Sequence, residues 1–153
     1  MNKTKTYSII AIIFFLSACS WQESFILKNN LSSAIIVSYS ISQVDGFAIF
    51  DNQPNIYQST KSGDINWEKE LKIEDKDTSE LGFQFALPAN SILKFGHLSN
   101  DNYSNKDQYF INGRVFNFEN MEIKKKDGAT IISKDKFDSF FKKKNGYIAY
   151  EIK

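Results

Sequence analysis

The chain has 153 residues, and its 19 Lys and Arg residues nearly balance 18 Asp and Glu residues. This length fits one domain, and a formal charge of +1 gives no reason to expect nucleic acid as a partner. The single cysteine excludes a disulfide within the chain, and with a single histidine it leaves no typical zinc ligand set, so we expect neither a metal nor a cofactor.

The first residues follow the order of an export signal. Two lysines precede an apolar run from Ser8 to Leu16, and the small residues Ser17 and Ala18 come directly before Cys19. A helix of about nine residues spans only about 13 Å, less than half of the ~30 Å hydrocarbon core of a bilayer. We therefore predict a signal peptide over residues 1–18 rather than a membrane-spanning helix.

Leu16-Ser17-Ala18-Cys19 resembles the lipobox of bacterial lipoproteins, in which Leu and two small residues precede Cys. The resemblance implies cleavage between Ala18 and Cys19, a diacylglyceryl thioether on Cys19 and often acylation of its amine, with chains such as palmitate. Membrane lipid is then a partner through acylated Cys19, because two or three chains anchor stably where one binds only marginally. The alternative is a plain signal peptide with an accidental cysteine.

The residues after Cys19 bear on the location of the mature chain. Ser20 is not Asp, which by the sorting rule of enterobacterial lipoproteins favours the outer membrane. We expect a protein of the bacterial cell envelope, lipid-anchored in the outer membrane and facing the periplasm. Residues 19–24 form a short tether, and residues 25–153 form a single domain.

Alternation of apolar and polar residues predicts most of the strands. The alternation is clearest over Ala34–Val44, where one face of the strand carries the side chains of Ile35, Val37, Tyr39 and Ile41. Two turn signals predict hairpins, namely Asn112-Gly113 within Tyr109–Phe116 and Asp127-Gly128 within Met121–Ile132. Further strands are predicted at Ile65–Ile73, Leu81–Leu87, Ile92–Leu98 and Tyr147–Ile152.

One helix is predicted before the last strand. Ser133 can cap its start, Phe137 and Phe141 share one face, Lys142–Lys144 fill its last turn, and Gly146 suits the position after its end. Together these elements predict a mainly β fold. We expect an antiparallel β-sandwich, immunoglobulin-like or transthyretin-like, with one helix in the C-terminal region.

The chemistry-bearing residues include one histidine and one acidic segment. His97 lies in a predicted strand without a nucleophile motif, so we expect a half-buried or strand-edge residue and no catalytic site. The acidic segment only partly resembles a calcium loop, because its sixth position lacks glycine and its twelfth lacks glutamate. It is a candidate for partner binding, against the alternative of a solvated loop; its residues are Glu74, Asp75, Asp77 and Glu80.

Two basic triplets lie near predicted turns or helix ends. Lys124, Lys125 and Lys126 form the first, and Lys142–Lys144 form the second. If the fold brings the triplets together, they are candidates for contact with lipid headgroups or an acidic partner. The alternative is that they only provide solubility and compensate the helix dipole.

These features favour a non-catalytic lipoprotein rather than an enzyme. We expect a binding or assembly module for an envelope protein partner, within an envelope or secretion complex. The alternative is an inhibitor or immunity lipoprotein that blocks a cell-wall-directed or other enzyme, with the loops at Glu74–Glu80 and Asn100–Asp107 as candidate contact surfaces.

Overall fold

Two β-sheets face each other across an apolar core in the computed structural model, which describes residues 21–73, 77–78 and 81–153. Every second side chain of a strand points to the same face of its sheet. A strand in which apolar and polar residues alternate therefore turns one apolar face towards the core. The strands within these residues are β1 Gln22–Asn29, β2 Ile35–Ile41, β3 Phe47–Ala48, β4 Phe50–Ser59, β5 Ile65–Leu71, β6 Asp77–Thr78, β7 Gly82–Leu87, β8 Ser91–Ser99, β9 Arg114–Val115, β10 Phe118–Lys125, β11 Gly128–Ser133, β12 Lys142–Lys144 and β13 Tyr147–Ile152. A short helix, α1 Phe137–Phe140, and 3-10 turns at Ile111–Gly113 and Lys134–Lys136 lie between them.

The order of the strands defines the sandwich. The larger sheet has six strands in the order β12-β13-β1-β8-β4-β5, and the smaller sheet has five in the order β11-β10-β2-β7-β6. Neighbouring strands are antiparallel except β1 and β13, which run parallel, and β3 pairs with β9 in a separate parallel ribbon. The predicted fold class, a mainly β sandwich with one short helix before the last strands, is confirmed.

β1 lies inside the larger sheet, and apolar side chains cover both of its faces. Phe25 and Leu27 are buried in the main core between the sheets. Ile26 points the other way and packs with Ile65 and Ile92 in a second cluster on the outer face. A strand covered on both faces has a continuous apolar run instead of an alternating one. The strand begins at Gln22, so the domain starts three residues before Phe25, where the sequence predicted its start.

The main core is rich in aromatic rings, and α1 contributes to it. Phe137 of α1 is fully buried and stacks on Phe141 with ring centroids 4.3 Å apart. Its ring also packs 4.9 Å from Phe118 and 5.0 Å from Phe116. The helix thus closes one end of the sandwich by inserting a ring between the sheets.

One of the two predicted hairpins is wrong. Asp127-Gly128 joins β10 to β11 as predicted, but Asn112-Gly113 ends the 3-10 turn Ile111–Gly113. The residues after that turn form β9, which pairs in parallel with β3 instead of antiparallel with its own preceding segment. The Asp101 carboxylate accepts the Ile111 N–H at 2.8 Å, so the segment bonds to a loop rather than to a partner strand.

The predicted helix is much shorter than its sequence signals indicate. Only Phe137–Phe140 is α-helical, and no side-chain cap at Ser133 is present. Lys142–Lys144 forms β12 and pairs with β13, and Asn145 and Gly146 take the positive φ values of a hairpin turn. Backbone pairing with β13 gives the three lysines hydrogen-bond partners that a frayed helix end lacks.

The sandwich has two ends that the register of the strands distinguishes. We call the end where β1 begins the proximal end; there Ser24 pairs with His97 and Tyr147. We call the opposite end, where β1 finishes at Asn29, the distal end. At the distal end the buried Asn29 side chain donates to the carbonyl oxygens of Leu87 at 3.2 Å and Pro88 at 2.8 Å, which ties the two sheets together.

Candidate functional site

A polar groove lies on the outer face of the larger sheet, and we call it the outer groove. Its volume is about 400 Å³. One wall is the β4–β5 turn at Ser62–Asp64, and another is the β12–β13 turn at Lys144 and Asn145. Its floor consists of Lys28, Asn30, Tyr147, Ala149 and Glu151.

The floor is held rigid by contacts beneath and across it. The Lys28 ammonium donates to the Gly63 carbonyl oxygen at 2.8 Å and lies 6.0 Å from the centroid of the Tyr147 ring. Tyr147 and Ala149 pack on the second apolar cluster of Ile26, Ile65 and Ile92. The turn that forms one wall is therefore fixed to β1 rather than free to swing.

An aromatic pair, the exposed Trp67 and the half-buried Tyr57, flanks the groove. Trp67 is 52 % exposed and meets the Tyr57 ring edge-on, with centroids 5.2 Å apart. The Lys94 ammonium lies 5.9 Å from the Trp67 ring, a cation–π arrangement. Because an indole face and a nearby cation can contact both apolar and anionic groups, this pair suits recognition of a polar chain.

The tyrosine hydroxyls of this face stay protonated at neutral pH. Burial raises the pKa of Tyr147, the charge of Asp64 raises it further, and a hydrogen bond with Trp67 lowers it in part. Burial and the charge of Glu70 raise the pKa of Tyr57. Both hydroxyls can therefore donate as well as accept hydrogen bonds. Lys28 and Lys144 add positive charge, and Asp64 and Glu151 add negative charge, so the groove offers both signs.

Of the predicted acidic segment, the structure describes only Asp77 and Thr78, and these two residues lie in the other sheet from the outer groove. Asp77 belongs to β6 at the edge of the smaller sheet and pairs with Gln84. Glu74, Asp75 and Glu80 lie outside the described residues. Asp77 thus belongs to the smaller sheet, while the outer groove lies on the larger one.

The two basic triplets lie at opposite ends, so the fold does not bring them together. Lys124 pairs with Ile36, beside the distal bonds of Asn29, and Lys125 and Lys126 continue into the β10–β11 turn. Lys144 pairs with Tyr147 at the proximal end. The strand register separates them because β10 ends where β1 ends, whereas β12 and β13 meet where β1 begins.

His97 is half-buried in β8, as predicted. Its Nδ1 lies 3.6 Å from the Asp51 carboxylate, beyond ordinary hydrogen-bond length. Its main chain accepts a 3.2 Å hydrogen bond from the Arg114 guanidinium and donates to Ile49 at 3.0 Å. Among the residues that the structure describes, no group of three or more His, Cys, Asp or Glu side chains is placed to hold a metal ion.

Two carboxylates, the buried Glu23 and the half-buried Asp138, organise the loop that follows β8, a feature that the sequence did not reveal. Glu23 is 3 % exposed, forms an ion pair with Lys143 and accepts the Tyr103 N–H at 2.8 Å. Asp138 accepts the Tyr103 hydroxyl at 2.5 Å and the Lys106 N–H at 3.1 Å. These partners are 32 to 120 residues apart in the sequence, so no local pattern marks them.

No helix within the described part of the chain is long and apolar enough to cross a membrane. The geometry defines a two-sheet β-sandwich with a groove of mixed charge on its outer face. In comparisons with known proteins, no family model, curated protein or solved structure matched this chain significantly.

Proposed function

We propose that this protein is a bacterial envelope lipoprotein, anchored through acylated Cys19, whose sandwich is a non-catalytic binding module. The outer groove receives a polypeptide segment of a partner protein of the envelope. The anchor belongs to the outer membrane, with the domain on the periplasmic side. The proposal joins the lipobox resemblance of Leu16–Cys19 to the surface chemistry of the larger sheet.

The outer groove is the observation that carries the binding role. Its floor joins a fixed Lys28 to Glu151, and the exposed ring of Trp67 lies beside it. A peptide presents charges of both signs, backbone donors and acceptors, and apolar side chains, and this surface has a counterpart for each. A groove that is already formed loses little conformational entropy on binding, which favours affinity.

Photo-crosslinking in cells tests the binding role. A photoreactive residue replaces Trp67 beside the groove, and the matched control replaces Ile131 on β11, which is 67 % exposed. We expect position 67 to yield one discrete crosslinked protein and position 131 to yield none. If both positions give the same pattern, or neither gives a product, the groove is not the binding surface. An envelope-complex subunit as the product supports assembly, whereas a secreted or cell-wall-directed enzyme supports the inhibitor alternative.

Fatty-acid labelling tests the anchor. Cells that make the wild-type chain are expected to incorporate labelled palmitate into the protein, and a Cys19→Ser variant is expected to incorporate none. Label that persists in the variant contradicts lipidation at Cys19. The variant keeps every described residue unchanged, so crosslinking at position 67 can be repeated with it to separate anchoring from binding.

A further inference from the structure

We infer that the proximal end of the sandwich is a membrane-contact face that rests on the bilayer holding the lipid anchor. This inference rests on the proposed lipidation of Cys19. It adds a second lipid contact, made by side chains of the folded domain, and it fixes the orientation of the outer groove. The occupant of the face is the lipid surface itself.

Exposed apolar side chains concentrate at this end. Six of the large hydrophobic side chains that the described residues expose are Trp21, Phe47, Leu81, Tyr109, Ile111 and Val115. Tyr109 is 91 % exposed and Phe47 is 71 % exposed. Soluble surfaces seldom gather so many large apolar side chains in one place, and such patches mark membrane or protein contacts.

Hydrogen bonds join the segments that carry these side chains. The Trp21 N–H donates to the Asn100 side chain at 3.3 Å, and the Asn100 N–H donates to the Trp21 carbonyl oxygen at 2.9 Å. Asp101, next in the chain, accepts the Ile111 N–H. The strand β9 that follows pairs with β3, where Phe47 lies opposite Arg114. Leu81 reaches the same end, because its carbonyl oxygen accepts the Ile41 N–H.

The length of the tether decides what covers this face. Trp21 is fixed to Asn100, so only Ser20 lies between the lipidated Cys19 and the folded domain. The two Cα–Cα steps from Cys19 to Trp21 span at most about 7 Å. Interfacial side chains insert about 5–10 Å into the boundary between headgroups and acyl chains. The proximal end is thus held within reach of the bilayer, and no protein partner of ordinary thickness fits between them.

The composition of the face matches the interface of a membrane. Trp and Tyr favour this zone because each combines an apolar ring with a polar hydrogen-bonding group. The strand β12 finishes at the same end, where the exposed Lys144 pairs with Tyr147. Lysines beside a lipid surface attract anionic headgroups, so we expect the contact to strengthen with the anionic lipid fraction.

Fluorescence quenching by brominated lipids tests the orientation. The lipidated full chain is reconstituted into phosphatidylethanolamine–phosphatidylglycerol vesicles with bromines on the acyl chains. One variant has its only tryptophan at the proximal end (Trp21→Phe, Trp67→Phe and Tyr109→Trp). The matched control, Ala129→Trp in the same background without Trp21 and Trp67, has its only tryptophan in β11 opposite Lys124 at the distal end. That level, the row of Ile36, lies about 17 Å along β2 from Ile41 at the proximal end, so the control reports a position away from the lipid.

We expect strong quenching and a blue-shifted emission for tryptophan at position 109, and no quenching for tryptophan at position 129. Phe47→Trp in the same tryptophan-free background should repeat the result from a second segment, which guards against a local distortion at 109. Vesicle flotation of each variant separates the two proposals. Flotation without quenching at 109 or 47, or with equal quenching at position 129, overturns the membrane-contact face alone. Loss of flotation in the wild-type chain overturns the lipid anchor and this inference together.

Discussion

Replacing Asn117 by Ala should be among the most damaging single changes in this fold. Asn117 is 1 % exposed and precedes β10 in the smaller sheet. Its side-chain oxygen accepts the N–H groups of Ile49 at 3.1 Å and Phe50 at 2.9 Å, and its amide donates to the Phe50 carbonyl oxygen at 3.2 Å. One side chain thus satisfies the main chain where β4, a strand of the larger sheet, begins.

The magnitude follows from the groups left without partners. Alanine removes the side-chain acceptor of the Phe50 N–H and the donor to the Phe50 carbonyl oxygen, whereas the Ile49 N–H keeps a second acceptor, the Val115 carbonyl oxygen at 3.2 Å. Each buried polar group that loses its partner costs about 1–3 kcal/mol. Partial relaxation and entry of water reduce the sum for the two Phe50 groups, so we expect a loss of about 2–4 kcal/mol. That is a large part of the roughly 5–15 kcal/mol by which ordinary domains are stable.

Urea unfolding of the purified protein, followed by circular dichroism, measures this change. Asn120→Ala is the matched control, because Asn120 lies in β10 three residues further on and is exposed. Exposed substitutions of this kind usually change the free energy of unfolding by less than about 0.5 kcal/mol. If Asn117→Ala loses no more than the control, the buried amide does not link the sheets as argued.

Two further predictions concern packing and pH. A Cβ at Gly96 would lie 2.7 Å from the Ile49 carbonyl oxygen and 2.9 Å from the Phe50 ring. Because this approach is too close, Gly96→Ala should lower the free energy of unfolding by about 1–3 kcal/mol. A melting temperature equal to that of the wild type would refute the close approach. Burial, followed by the hydrogen bond to Asp138, raises the pKa of Tyr103. A raised pKa in the folded state gives stability that is present below the ordinary tyrosine value of about 10 and is lost as the pH rises above it. The Tyr103→Phe variant should therefore be about 1.5–3 kcal/mol less stable than the wild type at pH 7, yet lose less stability than the wild type between pH 10 and 11. Urea titrations at both pH values measure this difference. If the free energy of unfolding falls equally with pH in both proteins, the raised pKa of Tyr103 is contradicted.

The two Asn-Gly pairs show how far a local signal reaches. Asn112-Gly113 and Asn145-Gly146 carry the same turn signal, yet only the second forms a hairpin. The first lies in a segment whose N–H groups bond to Asp101, ten residues earlier. The second lies between two segments that can pair, because β13 is held in register by β1. A turn signal shows that the chain can reverse, and the availability of a partner strand decides whether a hairpin forms.

The candidate site could not be found from the sequence for the same reason. The outer groove combines residues of β1, the β4–β5 turn and the β12–β13 hairpin, which are far apart in the chain. Lys28 and Glu151 become neighbours only because β1 and β13 pair in parallel. The basic cluster Lys124–Lys126, whose members are adjacent in sequence, takes no part in the groove.

The sequence by itself determined what depends on short spacings. The alternation in β2 predicted a half-buried strand, because side-chain direction repeats every two residues whatever the strand pairs with. The order of Leu16–Cys19 predicted a lipid anchor, because a processing signal is a linear pattern. Only the tertiary structure decided the groove, the separation of the basic triplets and the apolar face at the proximal end. These depend on which strands pair and in what register, and contacts between residues 77 to 123 positions apart set both.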